Sequence, residues 1–249
     1  MPKVNKSLFT KEQWKRYKAR RDAKKQTDRS NREQSKIEIV QEKIEYNLLS
    51  KNDRIGFVCG NGTSREIVNL ELLRPYGKIY ACNAVYRQFN PDYLVAVDTK
   101  MILEINKSGY QHNHEVWTNP NKAYTRFKNF NYFQPSKGWS SGPTALWLAS
   151  QHKNDIIYIL GFDYKGLDDG KKLNNLFADT PNYKKSSDSA TFFGNWSRQT
   201  QNVISTNSKT KFIRVIEKDG FIPKDLANFS NLTHITVNEF IQIFNCELV

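Results

Sequence analysis

The sequence is poor in the residues that build disulfide frameworks and zinc sites. Its three cysteines, Cys59, Cys82 and Cys246, have no metal-ligand spacing, and an odd number argues against a disulfide framework. The four histidines do not cluster as a zinc site requires. Cys59 and Cys82 lie near the ends of apolar runs, which predicts buried free thiols. We therefore expect a reduced, intracellular setting with no cofactor and no bound metal.

Long apolar runs and common nucleotide-binding signatures are also absent. No stretch approaches the ~20 apolar residues of a bilayer-spanning helix, and no apolar segment follows the basic residues 1–6. These absences predict a cytoplasmic protein without a membrane span or secretory signal. Arg65 stands where a Gly-x-Gly-x-x-Gly pattern has its third glycine, and the sequence contains no Gly-Lys-Ser/Thr. NAD binding and P-loop chemistry are therefore disfavoured.

Most of the positive charge lies near the N-terminus. The formal charge is +13, and residues 1–36 carry +9 of it, with thirteen Lys and Arg against four Asp and Glu. Thr10-Lys11-Glu12-Gln13 has the form of a capping box and predicts the start of a helix. The residues expected to bind a polyanion or a partner are Trp14, Lys15, Arg16, Lys18, Arg20 and Arg21. Phosphate neutralisation and aromatic stacking favour nucleic acid, and the alternatives are docking on a protein assembly and a solvated tail.

The chain divides into three predicted segments. Residues 1–36 form the basic N-terminal arm, residues 37–53 an amphipathic helix and a polar turn, and residues 54–249 a Rossmann-like nucleotide-binding domain. The apolar positions at helical spacing in the second segment are Ile37, Val40, Ile44 and Leu48.

Short apolar strands alternate with helical segments in the third segment. The predicted strands are Ile55–Cys59, Lys78–Cys82, Tyr93–Val97, Glu115–Trp117, Ile156–Leu160 and Lys211–Ile216. The predicted helices run from Ser64 through Leu72 and from Gly142 to His152. Nearly continuous apolar strands are typical of a parallel sheet covered on both faces. The predicted fold class is α/β: a Rossmann-like, mostly parallel sheet with helices on both faces, a lid-like insertion and a basic helical N-terminal arm.

Three strand ends carry polar residues that are candidates for ligand binding. Gly60-Asn61-Gly62-Thr63-Ser64 follows the first strand, Asn83 the second and Asp98 the third. Open α/β sheets bind ligands at the edge where the carboxyl ends of their strands meet. We expect the glycines to let a ligand approach the backbone, and the helix after Ser64 to offer free amides to a phosphate. The alternative is an ordinary strand-to-helix turn.

The segment from Lys165 to Gly194 has no apolar periodicity and follows the strongest predicted strand. A loop of this length at the carboxyl end of a strand indicates a lid over a ligand site, or an insertion. Within it, Tyr183-Lys184-Lys185 suits a phosphate clamp, and a plain basic loop is the alternative.

Two motif blocks occur in the order and separation found in one enzyme family. The first block joins Gly60-Asn61-Gly62-Thr63-Ser64-Arg65-Glu66-Ile67 to Ile79-Tyr80-Ala81-Cys82-Asn83. The second joins Ser141-Gly142, which opens a helix, to Ile157-Tyr158-Ile159-Leu160-Gly161-Phe162-Asp163. Together they resemble the bacterial lipooligosaccharide sialyltransferases, which have Gly-Asn-Gly-Pro-Ser, Cys-Asn, Ser-Gly and Ile-Tyr-Leu-x-Gly-Ile-Asp at these places. The resemblance covers residues 55–216.

The resemblance implies a Rossmann-like glycosyltransferase that has a lid, uses a CMP-sugar as donor and needs no metal ion. The nucleotide-binding residues would be Gly60, Asn61, Gly62, Thr63, Ser64, Asn83, Asp98, Ser141 and Gly142. The family's general-base histidine is matched by Asn195, which cannot take up a proton at neutral pH. The catalytic candidates are therefore Asp98, Asp163 and Tyr164, which follow predicted strands.

Two functions from different classes follow. The leading hypothesis is a divergent sialyltransferase-like protein that binds a nucleotide or nucleotide-sugar and acts as a glycosyltransferase. The alternative is a non-catalytic structural or interaction protein that uses its basic arm to bind nucleic acid or a partner protein. The Asn- and Lys-rich composition is compatible with a phage protein, which would place it in the host cytoplasm and the virion.

Overall fold

The structure is a computed structural model that describes residues 54–248. The strands are β1 (Ile55–Cys59), β2 (Lys78–Cys82), β3 (Tyr93–Val95), β4 (Val116–Thr118), β5 (Asn131–Tyr132), β6 (Ile156–Leu160), β7 (Lys211–Ile216) and β8 (Leu232–Thr236). The helices are α1 (Thr99–Ser108), α2 (Ser141–Gln151), α3 (Gly194–Thr206) and α4 (Val237–Phe244). The helices predicted in the arm and over residues 37–48, and the six binding residues of the arm, lie outside the described residues.

All of these strands pair in parallel, in the order β5-β4-β3-β2-β1-β6-β7-β8. From β1 the chain moves outward to β5, then crosses back through α2 to β6, on the other side of β1, and continues outward to β8. The strand order therefore reverses between β1 and β6. The carboxyl ends of these two strands diverge into the crevice where doubly wound sheets bind their ligands.

Helices cover both faces of the sheet. On one face α2 packs over β1, β2 and β3, and α3 packs beside it. On the other face α4 places Phe244 against Phe57, with ring centroids 5.2 Å apart, and Phe240 against Tyr158, at 5.5 Å. These contacts confirm the predicted α/β class. None of the helices in residues 54–248 is long and apolar enough to cross a bilayer.

The strongest apolar runs form the predicted strands. β1, β2, β6 and β7 have the predicted bounds, and α2 begins one residue earlier than expected, at Ser141. β3 ends at Val95, and β4 begins one residue later than predicted, at Val116. The interior positions of these strands are almost fully buried, because helices cover the sheet on both sides.

The helix predicted from Ser64 through Leu72 is wrong. This segment forms two short 3-10 turns, Thr63–Arg65 and Leu70–Leu73, with Val68 between them in a β-bridge to Glu247. Backbone groups that a helix would have used pair with the C-terminal segment: the Asn69 N–H donates to Cys246 O, and the Leu248 N–H donates to Ile67 O. Since no α-helix directly follows β1, the phosphate site expected at the N-terminus of such a helix is wrong as well.

Candidate functional site

A cavity of about 600 Å³ opens at the carboxyl ends of β1 and β6. It occupies the crevice at which the strand order reverses, and its volume is typical of small-molecule sites. The predicted site residues that line it are Gly60, Asn61, Gly62, Asn83, Asp98, Ser141, Gly142, Asp163 and Tyr164. Thr63 and Ser64 lie behind this lining. The prediction that strand-end polar residues meet in one cleft is confirmed.

The loops after β1 and β6 contact each other across the crevice. The Gly60 N–H donates to Leu160 O at 2.8 Å, and the Gly62 N–H donates to Gly161 O at 2.9 Å. A Cβ at Gly60 would come within 2.5 Å of Gly161 O, and one at Gly62 would overlap the Asp163 carboxylate. The glycines are therefore required by contact between two loops. Both glycines also line the cavity, and the approach of a ligand to their backbone stays a prediction.

Asp163 joins the same two loops through its carboxylate. The Ser64 hydroxyl donates to Oδ1, and the Ser64 N–H donates to Oδ2 at 3.2 Å. Ser64 is only 3% exposed, so its backbone N–H depends on this acceptor. Both carboxylate oxygens are therefore engaged, which favours a structural role for Asp163 over proton transfer.

Asp98 differs from Asp163 in that its carboxylate has no partner among residues 54–248. The residue precedes the first turn of α1, yet its side chain does not cap the helix, and no residue of the described chain hydrogen bonds to it. The side chain is open to the cavity, whose walls limit its hydration. This partial burial raises the pKa of the Asp98 carboxyl above its ordinary value. An unpaired carboxylate with a raised pKa in a cavity is a candidate for acid–base chemistry.

Asn83 and Ser141 connect the ends of β2 and β3 with the start of α2. The Ser141 hydroxyl donates to Asn83 Oδ1 at 2.8 Å and accepts from the Val97 N–H at 3.1 Å. Asn83 has a φ of 54°, in the left-handed region that asparagine tolerates better than most residues. Because its oxygen is already bonded, Asn83 has its amide nitrogen left for a ligand.

Tyr164 contributes to the cavity wall, but its hydroxyl is bonded elsewhere. The Tyr164 hydroxyl donates to Thr200 Oγ1 at 2.7 Å, and the guanidinium carbon of Arg214 lies 4.9 Å from the ring centroid. The residue is 5% exposed, and burial raises the pKa of its hydroxyl far above the ordinary value. These features disfavour Tyr164 as a group that exchanges protons at neutral pH.

The loop from Lys165 to Phe193 forms the outer wall of the cavity. Its wall residues include Leu173, Asn174, Asn175, Asn182, Tyr183 and Lys184. The Thr63 N–H donates to Asn174 Oδ1 at 2.8 Å, which attaches the loop to the end of β1. The Tyr183 hydroxyl accepts from Asn61 Nδ2 at 3.1 Å and from the Ala84 N–H at 3.3 Å. The loop therefore lies closed over the cavity, as predicted for a lid.

A polar network, here called the latch, holds the tip of this lid to α1; it consists of Arg87, Glu104, Thr180 and Asn182. Arg87 donates from Nε and Nη2 to the two oxygens of Glu104 at 2.7 and 2.6 Å. Arg87 Nη1 also donates to Thr180 Oγ1 at 2.8 Å, and Asn182 Nδ2 donates to Glu104 at 2.6 Å. Burial alone would raise the pKa of Glu104, but hydrogen bonds from Arg87, Tyr86 and Asn182 outweigh it and hold this pKa below its usual value.

Sequence reasoning missed the latch and the buried side chain of Arg65. Arg87 and Glu104 are 17 positions apart and reach the lid tip more than 75 positions later, so no local pattern joins them. Arg65 is 6% exposed, whereas its place in the first motif block and at the third-glycine position does not indicate that its side chain is buried. The position of Arg65 shortly after the end of a buried strand is the feature of the sequence that could have indicated its burial.

Other polar candidates near the cavity are already engaged. Asn195 is exposed at the start of α3, outside the cavity lining, and accepts a hydrogen bond from Arg198. The Cys82 thiol reaches the cavity wall, but burial raises its pKa to about 12, so it is not a nucleophile at neutral pH. All three cysteines are free and buried, which was predicted for Cys59 and Cys82. Residues 54–248 contain no group of three His, Cys, Asp or Glu side chains placed to hold a metal ion.

No family model matches the chain, and no curated protein or solved structure is significantly similar to it. The likeness to the sialyltransferases therefore depends on the two motif blocks alone, and the function must be argued from the cavity.

Proposed function

We propose that this protein binds a nucleotide or nucleotide-sugar in the crevice cavity and acts as a divergent, sialyltransferase-like glycosyltransferase. One observation carries the proposal: the cavity lies at the reversal of strand order, and its walls hold Asn61, Asn83 and Ser141-Gly142, the residues of both motif blocks. The volume of about 600 Å³ suits a ligand of nucleotide size.

The polar atoms in the cavity wall suit a ligand with both donors and acceptors. Asn61 lines the cavity, and its buried Oδ1 has no hydrogen-bond partner in the described chain, so a ligand hydroxyl or amino group that displaces the Asn61–Tyr183 contact can donate to it. Within the described chain, its amide nitrogen is bonded only to Tyr183 of the loop that forms the outer wall. The free amide nitrogen of Asn83 can donate to a ribose, base or phosphate oxygen. Such mixed polarity is typical of nucleoside recognition.

Asp98 is the proposed general base. Its carboxylate takes the proton of the acceptor hydroxyl, whose oxygen forms a bond to the anomeric carbon of the donor sugar. The bond from that carbon to the phosphate oxygen breaks, and the nucleotide leaves with the electron pair. The free carboxylate and raised pKa of Asp98 support this assignment over Asp163, whose oxygens are bonded to Ser64, and over Tyr164.

Calorimetric titration of the full chain with CMP, UMP, AMP and GMP tests the proposal. We expect saturable binding, with CMP preferred, and a loss of at least about tenfold in affinity for Asn83→Ala, which removes a cavity side chain. Asn113→Ala, an exposed substitution outside the cavity, is the matched control and should bind like the wild type. Absence of binding to every nucleotide, or equal losses in both variants, would contradict the proposal. Binding of CMP without transfer from any CMP-sugar would leave a binding protein without catalysis.

A second function rests on the basic arm. Residues 1–36 carry a net charge of +9, which suits binding to nucleic acid or docking on a protein assembly. This function is independent of the cavity, because it concerns another part of the sequence. Its test is the salt dependence described below.

A further inference from the structure

Arg65 is a buried cation without a carboxylate partner in the part of the chain that the structure describes. It is 6% exposed, and its Nε donates to the backbone oxygen of Gly60 at 2.5 Å. Its Nη2 is buried with no hydrogen-bond partner, and no acidic side chain forms an ion pair with it in the described chain. A buried charge is costly unless an opposite charge compensates it. The fold itself therefore leaves this charge unneutralised.

The Arg65 side chain runs directly behind the wall of the cavity. A Cβ placed on Gly161 would come within 3.2 Å of Arg65 Cδ, and the guanidinium is bonded to Gly60; both glycines line the cavity. The positive charge is also close enough to the thiol of Cys82, another wall residue, to oppose in part the effect of burial on its pKa. The charge thus lies behind the wall at the junction of the two strand-end loops.

The charged groups of the cavity wall add to the same positive field. Lys100, Lys165 and Lys184 line the cavity, against two carboxylates, Asp98 and Asp163. The exposed lysines are screened by salt and water, whereas Arg65 acts through protein of low polarizability. Among the positive charges at the cavity, Arg65 is therefore the one whose influence on a bound ligand is best preserved.

We infer that Arg65 makes the cavity selective for ligands that carry phosphate, and against neutral nucleosides of the same shape. This inference rests on the proposed function, since it names the charge of the ligand in that cavity. Arg65 is absent from the cavity lining, so the residue acts through the wall and does not touch the ligand. It is a specificity-determining residue, and the bound phosphate would supply the countercharge that the fold lacks.

Titration of CMP and cytidine into the full chain tests the inference. CMP should bind the wild type at least about tenfold more tightly than cytidine, the effect of one charge within about 10 Å at an effective dielectric constant of about 20. Arg65→Gln removes the charge but keeps a donor for Gly60 O, and it should lose this preference with cytidine affinity unchanged. Arg65→Lys should retain most of the preference. Arg126→Met, which removes an exposed arginine outside the cavity lining, should leave both affinities unchanged.

The outcomes separate this inference from the proposed function. Equal CMP preference in Arg65→Gln and wild type, or equal loss of CMP and cytidine, would overturn the role of Arg65 while the nucleotide site stands. Thermal unfolding with inorganic pyrophosphate gives a second readout: the melting temperature should rise for the wild type and less for Arg65→Gln. If neither CMP nor cytidine binds but pyrophosphate behaves in this way, the nucleotide proposal falls and the Arg65 inference holds. No response to pyrophosphate or CMP in the wild type would overturn both.

Discussion

Replacing Asp163 by Asn separates a structural carboxylate from a catalytic one. Its two oxygens accept from the hydroxyl and the N–H of Ser64, and these bonds hold the loop after β1 to the loop after β6. The amide of Asn can accept only one of them, and its NH₂ group then faces a donor. Asp163→Asn should therefore weaken the folded state in addition to any effect on the cavity.

The size of this effect follows from the bond that is lost. A hydrogen bond to a charged group contributes about 1.5–3 kcal/mol, and in a domain of this size each kcal/mol shifts the melting temperature by about 2–4 °C. Asp163→Asn should then lower the melting temperature by roughly 3–12 °C. Thermal unfolding followed by circular dichroism measures it. Asp219→Asn, an exposed substitution away from the cavity, is the matched control and should change little.

One outcome would contradict a structural role for Asp163. If Asp163→Asn melts like the wild type while nucleotide binding or turnover is lost, Asp163 acts on the ligand, and the Ser64 contacts contribute nothing measurable to stability.

Four further predictions concern other parts of the chain. Burial raises the pKa of Asp98 in the folded state, so the stability that Asp98 contributes is full below its ordinary pKa and is lost as pH rises through the folded-state pKa. Asp98→Asn should therefore melt at a higher temperature than the wild type at neutral pH and at the same temperature at strongly acidic pH. Equal melting temperatures at every pH would contradict the raised pKa. Glu104→Gln should release the latch and increase hydrogen exchange at Thr180 and Tyr183 but not in β1; unchanged exchange would count against the latch. Gly62→Ala should cost about 2–4 kcal/mol because its Cβ overlaps Asp163, whereas Gly138→Ala, with open space and a φ of 64°, should cost about 1–2 kcal/mol in a denaturant titration. Deleting residues 1–36 should abolish any nucleic-acid binding of the full chain whose affinity falls steeply between ~50 and ~200 mM salt; full retention would place that binding elsewhere.

The central strands, and the edge of the sheet that carries the site, could be predicted from the amino-acid sequence. β1, β2, β6 and β7 are nearly continuous apolar runs. Such a run is enough to predict a strand that helices cover on both faces of the sheet. Because parallel strands end at one edge, the polar residues that follow them could be placed in a common cleft before the structure was known. Asn61, Asn83 and Asp98 lie there.

The tertiary structure decided which of these groups are free to act. Asp98 and Asp163 both follow predicted strands, yet only the fold shows that Ser64 hydrogen bonds to the carboxylate of Asp163 and that no described residue hydrogen bonds to the carboxylate of Asp98. The missing helix after β1 has the same origin, since distant residues near the C-terminus pair with that segment. The free energy of a side chain depends on partners that chain topology brings from far positions, and a local pattern contains no record of them. For that reason the unpaired charge of Arg65, the most informative group beside the cavity, could be recognised only in the folded chain.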